Sequence, residues 1–462
     1  MAAGAERERA SARRQRRRPD TSEPTKILSE VTGLSVEPPG DPELWDFSVE
    51  IAPSNRRSEA WQIEVRGWAL GRRYRVEAVE FLVDDTSIWR VPVDRERPDV
   101  RGRFPTVPGA ESAGFYTALN TLRLPPSFEV FLRAVLSDGT RRGIGSFDGR
   151  RERLEPQPHS KLDPVMVTSL GRSGSTLMMG LLAAHPEVVA HQPHDYEPRV
   201  ASYWMKVLMS LSDPSSYLNQ LDPAGNVETD DWWLRGQQGA RELSERVGNE
   251  QMARWIGGDG VRTLAAACRQ RIDELYLRIA EQERGGGARR FAEKFLPDAA
   301  AALTCEMYPG AKEILLVRDF RDMVCSALAY GRKRAFLGLG RDLAIDEAEY
   351  VREPVRNSVL RLVRTWERRR DTAYLVRYED LVQAPEETLA GLLEYLELDR
   401  GEDAISLMTS AVASRRKEAE RHATTPSTEM SVGRWRQDLG PALARECEQW
   451  LGFGLEAFGY TL

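Results

Sequence analysis

The chain has 462 residues, a formal net charge of −6, and a composition 41% hydrophobic and 29% charged. That length supports a sizeable core in up to about three domains, and the composition is that of a globular protein with charged surfaces. The acidic balance excludes a globally basic nucleic-acid binder, and Cys268, Cys305, Cys325 and Cys447, scattered without a Cys-x-x-Cys pair, argue against a zinc ribbon or a disulfide framework and read as reduced thiols of a cytoplasmic protein.

Residues 1–40 read as a disordered basic tail and linker. The first 18 positions carry seven Arg and no apolar run, so no secretory leader is expected there. Such an arm can touch anionic lipid, which would place the protein peripherally at the inner face of a membrane. No apolar run is long enough to span one. Residues 41–155 show short strands. Trp61, Ile63 and Val65 alternate with polar residues, Val79, Phe81 and Val83 follow, then Ile88–Val93 and Phe128–Leu136, the last closed by Asp138-Gly139. Asp-Gly between apolar runs signals a hairpin, and many short strands with little helix predict a small all-β sandwich accessory domain.

Arg151–Pro164 is charged and proline-bearing, as a linker would be. Beyond it, over 160–462, the pattern changes. Apolar runs at Val165–Leu170, Glu313–Val317 and Ala373–Arg377 are separated by long helical stretches. That alternation predicts an α/β fold, a parallel sheet with helices on both faces. Residues 213–290, polar, with Trp232, Trp233, Trp255 and a Gly285-Gly286-Gly287 break, read as a helical, lid-like insertion.

Chemistry concentrates first at Gly171-Arg172-Ser173-Gly174-Ser175-Thr176, between the strand ending at Leu170 and a helix starting near Leu177. A Gly-rich turn between strand and helix aims backbone N–H groups and the positive helix end at an anion. Arg172 adds a forked, permanent charge, and Ser173, Ser175 and Thr176 add hydroxyls. This is not the loop of nucleotide triphosphatases, which needs Gly-Lys-Ser/Thr at its end: Ser175 stands where the Lys belongs, and Ser169 where the first Gly belongs. The same strand–turn–helix logic recurs at Ile314–Ser326. There Arg318 sits at the strand end, and Ser326 lies about two helical turns on.

With Tyr378-Glu379-Asp380-Leu381 and Ser431-Val432-Gly433-Arg434-Trp435-Arg436, these segments resemble, in order and over about residues 163–460, the sulfotransferases that use 3′-phosphoadenosine 5′-phosphosulfate (PAPS) and release PAP. The resemblance implies a P-loop-like sulfotransferase fold. It implies Gly171–Thr176 as the 5′-phosphosulfate loop, Arg318 with Ser326 on the 3′-phosphate, Tyr378 beside adenine, and Ser431 with Arg434 in the segment closing over the nucleotide. Arg172, where cytosolic members usually carry Lys, leans toward the carbohydrate and tyrosine branches. In Glu293-Lys294-Phe295-Leu296-Pro297, Phe295 falls near the position where cytosolic members carry a catalytic His, while Lys294 remains a candidate for positioning the sulfonate. The base is then sought in His191–Arg199: Glu197 first, His194 second, Asp195 and His191 after them, with Arg199 a partner for Glu197 or for an acidic substrate. No metal is required.

The N-terminal module, with Gly67-Trp68, Arg97-Pro98-Asp99-Val100 and Leu136–Gly139, resembles β-domains attached to bacterial glycosyltransferases, and the Arg-rich composition suits a bacterial source. Together these imply sulfuryl transfer to a hydroxyl of a glycan or glycolipid. Two other readings stay open. One is a nucleotide- or glycan-binding protein with an inactive transferase domain; the other, less favoured without the Lys, is a P-loop kinase.

Overall fold

The computed structural model describes residues 26–38, 40–53, 56–154, 160–191, 196–213, 255–335, 340–414 and 423–461. Two antiparallel sheets form the N-terminal domain. One has the order β3 (Arg57–Ser58), β1 (Ser29–Val36), β9 (Arg141–Arg151), β8 (Ser127–Leu136), β5 (Val76–Val83), β6 (Thr86–Pro92); the other has β2 (Leu44–Glu50), β4 (Gln62–Gly71), β7 (Gly114–Asn120). Their inward residues, among them Val79, Phe81, Phe115, Val130 and Phe147, build one core. The expected hairpin joins β8 to β9, with Gly139 at φ +85°.

Three expectations need correction here. Residues 29–36 are not tail: β1 lies inside its sheet, paired to β3 and β9. A register shift between Val31 and Gly33 breaks its alternation, which is why the sequence pattern hides it. Arg151 is not a free linker residue but the last position of β9, its side chain 0% exposed and bonded through both Nη atoms to Glu306 (3.0 and 2.8 Å). Trp61, read as a strand residue of the sandwich, donates to the Glu152 carbonyl (2.9 Å) and joins the core of the second domain.

That second domain is a five-stranded parallel sheet in the order β11 (Val188–Ala190), β12 (Arg290–Phe295), β10 (Asp163–Ser169), β13 (Lys312–Val317), β14 (Tyr374–Arg377). The central strands are buried on both faces, hence their nearly continuous apolar sequence. Helices α1 (Ser175–Ala184), α8 (Pro385–Leu396) and α9 (Glu402–Ser414) cover one face, over Val165, Val167, Ile314 and Leu316. Helices α2 (Val200–Leu211), α3 (Gly260–Arg284), α4 (Ala299–Met307), α5 (Phe320–Arg334), α6 (Arg356–Arg369) and α10 (Pro441–Ala457) cover the other, over Met166, Phe291, Leu315 and Val317. A short helix α7 (Tyr378–Gln383) follows β14.

The covering role expected over 213–290 does not extend to its second half. Helix α3 buries Val261, Ala265, Cys268, Ile272, Tyr276 and Ala280 against the sheet, a helical stripe that makes it a core layer. Residues 214–254, with Trp232 and Trp233, lie outside the described residues, as do residues 1–25. Among the described residues no helix is long and apolar enough to cross a membrane, and no group of three or more metal-ligating side chains converges.

Candidate functional site

The strand ends of β10, β12 and β13 lie side by side, and the loop after β10 runs into α1. Gly174, at φ +89°, is the residue before that helix. A Cβ there would stand 2.3 Å from Tyr378 Cδ2, so the bare backbone is required both for the turn and for the close approach of the tyrosine ring. Arg172 also sits at positive φ (+70°). Ser173 is fully buried with its hydroxyl 3.9 Å from Met323 Sδ, so its side chain is turned into the core and only its backbone N–H is left for a ligand.

Two polar clusters flank this loop. The first gathers at β13 and the start of α5. Arg318, 4% exposed, donates to the Arg172 carbonyl (3.1 Å) and the Ser431 carbonyl (2.6 Å), and lies 4.7 Å from the Tyr378 ring centre. Its buried Nε has no hydrogen-bond partner. Arg172 Nε donates to Ser326 Oγ (3.1 Å), and its guanidinium lies 4.5 Å from the Tyr330 ring centre. Burial, with Arg318 nearby, pushes the Arg172 guanidinium below its ordinary pKa. Ser431 Oγ donates to the Thr428 carbonyl (2.6 Å) and therefore accepts from the Tyr378 hydroxyl (2.9 Å). Arg434 pairs with Asp438 and donates to Thr424 Oγ1 (2.8 Å), which is also 3.3 Å from Ser326 Oγ. Arg172, Arg318, Ser326, Tyr378, Ser431 and Arg434, drawn from four separate stretches of the sequence, are thus joined in one network.

The second cluster gathers at the end of β12. Lys294 Nζ, its side chain 3% exposed, donates to Thr176 Oγ1 (3.0 Å) and to Glu197 Oε1 (2.7 Å). Glu197 is half-exposed and its other oxygen accepts from Arg199 (3.3 Å). Partial burial would raise the Glu197 carboxyl, but the Lys294 bond and charge, with Arg199, outweigh it and hold the group below the usual range. Lys294 reaches Thr176 because alternation along β12 points it to the α1 face, while Glu293 points to the opposite face. Ser175 lies half-buried in the first turn of α1. His191 is half-buried with Nδ1 unpartnered; His194 and Asp195 lie outside the described residues.

The Arg172 side chain turns toward Ser326 and Tyr330, held by the hydrogen bond to the one and the aromatic face of the other.

Three supporting carboxylates escaped the sequence reading. Asp322, fully buried, accepts from the N–H groups of Gly433 (2.6 Å) and Trp435 (2.8 Å), anchoring the Ser431–Arg436 segment to α5. Glu379 accepts from Asp319 N (3.0 Å) and the Tyr460 hydroxyl (2.7 Å), tying α7 to the end of β13. Glu293 accepts from Ala201 N (2.8 Å), Ser202 N (2.9 Å) and the Tyr276 hydroxyl (2.7 Å), pinning the N-terminus of α2, and with it the Glu197 segment, to the strand that carries Lys294. Nothing local in the sequence marks these roles, because each partner is distant along the chain.

Residues 164–403, just over half the chain, match the sequence profile of the Sulfotransferase family. Similar solved structures include the sulfotransferase domain of the Synechococcus PCC 7002 olefin synthase (18% identity, TM-score 0.36, covering 67% of this chain and 100% of that one). The sulfotransferase domain from the curacin biosynthetic pathway is another (17%, 0.37, 66% and 100%), and a mouse sulfotransferase complexed with PAP a third (13%, 0.35, 66% and 90%). No curated protein sequence matches.

Proposed function

Since the chain belongs to the sulfotransferase family, we propose that it moves the sulfuryl group of PAPS onto an acceptor hydroxyl, of a glycan or glycolipid. The observation that carries this reading is the pair of clusters on either side of one loop. Arg318 and Ser326 sit at the end of β13 and in α5, where a 3′-phosphate would be held, and Lys294 with Thr176 at the end of β12, beside the sulfonate. The unpartnered Arg318 Nε is a buried donor suited to an anion.

Each group then has a task. The N–H groups of residues 171–176 and the α1 N-terminus take the 5′-phosphate. Tyr378, Ser431 and Arg434 border the nucleotide. The acceptor oxygen attacks sulfur in line, an S–O bond forms, the S–O bond to the 5′-phosphate breaks, and PAP leaves with the bonding pair. Lys294 neutralises charge growing on the transferring sulfonate. Glu197 takes the acceptor proton once Lys294 turns to the sulfonate and releases it; its carboxyl is half-exposed and so accessible to an acceptor. Arg172 supports the nucleotide from the Ser326 side.

Sulfur-radiolabelled PAPS supplied with lipid, glycan and peptide fractions tests the reading. Label transferred to a hydroxyl-bearing lipid or glycan, and lost with Glu197→Gln by a factor of about 10²–10⁴, is the expected result. Transfer that survives Glu197→Gln would remove this residue as the base, and ATP consumption in place of PAPS would return the chain to a kinase.

A further inference from the structure

A half-open cavity of about 1370 Å³ lies between the two domains, above the roughly 300–1,000 Å³ of common small-molecule sites. The sandwich supplies one wall, from Val83, Asp84, Thr86 and Ile88 on the β5–β6 hairpin and the turn at 123–126. Helices α4 and α6 supply the other, and one end reaches Leu170 and Gly171, where the phosphosulfate loop begins. The joint between the domains is built rather than incidental. Besides Arg151–Glu306, Asn120 Nδ2 donates to the Met209 carbonyl (3.0 Å) and Arg368 pairs with Asp84 across the cavity wall.

The lining combines apolar surface with an excess of positive charge, of which Arg123 is paired to Asp213 (3.5 Å) outside the lining. Leu124, Leu154, Met209, Leu296 and Val355 give the walls their apolar character. Six cationic side chains face four carboxylates, and each carboxylate is already engaged. Asp84 pairs with Arg368, Glu313 with Arg369 (2.7 Å), and Glu306 with Arg151 outside the cavity. Asp298 caps α4 through Ala300 N and Ala301 N, with Lys206 Nζ 3.9 Å away. Arg361, half-buried on α6, has a bond to Ser358 Oγ (3.1 Å) and, among the described residues, no carboxylate within 4.0 Å. Burial pushes the Arg361 guanidinium below its ordinary pKa, and Asp298, beyond ion-pair distance, offsets this only in part, so an anion brought beside it would relieve the cost of burial.

We propose that this interdomain cavity is the acceptor site, and that it takes an amphipathic hydroxyl compound bearing a phosphate or carboxylate. The apolar part lies along the cavity, the anionic group meets Arg361, and the hydroxyl leaves the cavity at its Gly171 end to meet Lys294 and Glu197, which stand outside the lining. The sandwich domain is then half of the acceptor site. The fate of the hydroxyl rests on the sulfotransferase reading; the binding of the anionic amphiphile does not.

Calorimetric titration of the full-length protein with dodecyl phosphate, laurate and 1-dodecanol, each below its aggregation threshold, tests this, with PAP titrated in parallel. The expected result is binding of dodecyl phosphate and laurate at least about tenfold tighter than dodecanol. Arg361→Gln should lower dodecyl phosphate affinity by about tenfold or more and leave PAP affinity unchanged. Ala302→Trp, which fills the cavity from α4, should block all three amphiphiles and also spare PAP. Equal binding of dodecanol and dodecyl phosphate, or dodecyl phosphate affinity unchanged in Arg361→Gln, overturns the proposal. Amphiphile binding without PAP binding would sink the cofactor reading alone; PAP binding without amphiphile binding sinks this one alone.

Discussion

A single atom decides what residue 174 can be. The Cβ of alanine would strike the Tyr378 ring and would also sit on a backbone at φ +89°, a strain on the order of 1–3 kcal/mol. Gly174→Ala is therefore expected to fold with lowered stability and to weaken PAP binding about tenfold or more; unchanged affinity would show that the ring contact is not needed. Lys294 is the second decisive residue. Lys294→Met removes the charge that holds the Glu197 carboxyl low. The acid limb of the pH profile of kcat/KM should then move to higher pH, with turnover reduced by about 10²–10³. A limb that stays in place would separate Glu197 from the chemistry. At this scale the sequence shows the candidates: the glycines, Arg318, Ser326, Lys294 and Glu197 stand in short contiguous motifs. What one sequence does not hold is direction. Ser173 turning inward and Arg172 turning to Ser326 depend on Met323 and Tyr330, about 150 residues away.

Elements hold those residues in place through buried carboxylates. Full burial raises the Glu293 carboxyl to about 7, even against its three donors. A folded value above the ordinary glutamate range means that its contribution to stability is complete in acid, below that range, and is lost as pH rises through about 7. The swing is on the order of 3 kcal/mol. Glu293→Gln should flatten that part of the stability–pH curve measured by denaturant unfolding; an unchanged curve would show that another group carries it. Glu293 escaped notice because its partners, the α2 N-terminus and Tyr276, come from two other elements. Strands β10, β13 and β14 and the Asp-Gly hairpin were plain in the hydrophobic pattern. Strand β1 was not, because its bulge spoils the period. Helix α3 reads as a cover from sequence because its charged outer face masks a regular apolar stripe.

The whole molecule is governed by its domain joint. Arg151 and Glu306 are 155 residues apart, with side chains 0% and 4% exposed, and Leu154 N adds a further donor to Glu306 (3.1 Å). Breaking a buried pair by removing one partner costs about 3–5 kcal/mol, whereas replacing both by apolar groups of similar volume is often neutral. Arg151→Ala should accordingly lower the unfolding temperature markedly, and the Arg151→Met/Glu306→Met double variant should recover most of the loss. Two equal losses would place the joint's stability elsewhere. Both domains were visible as a change of hydrophobic period near residue 160. Their docking was not, since it depends on Trp61, Asn120 and Arg151 meeting α2 and α4 across long stretches of chain.

The central claim is a nucleotide site that reads a 3′-phosphate through Arg318. Calorimetric titration with PAP and AMP, which differ at that group, tests it most directly on the wild type and on Arg318→Ala. The account predicts PAP bound at least about tenfold more tightly than AMP, with the difference erased in Arg318→Ala. Equal binding of PAP and AMP by the wild type would contradict it.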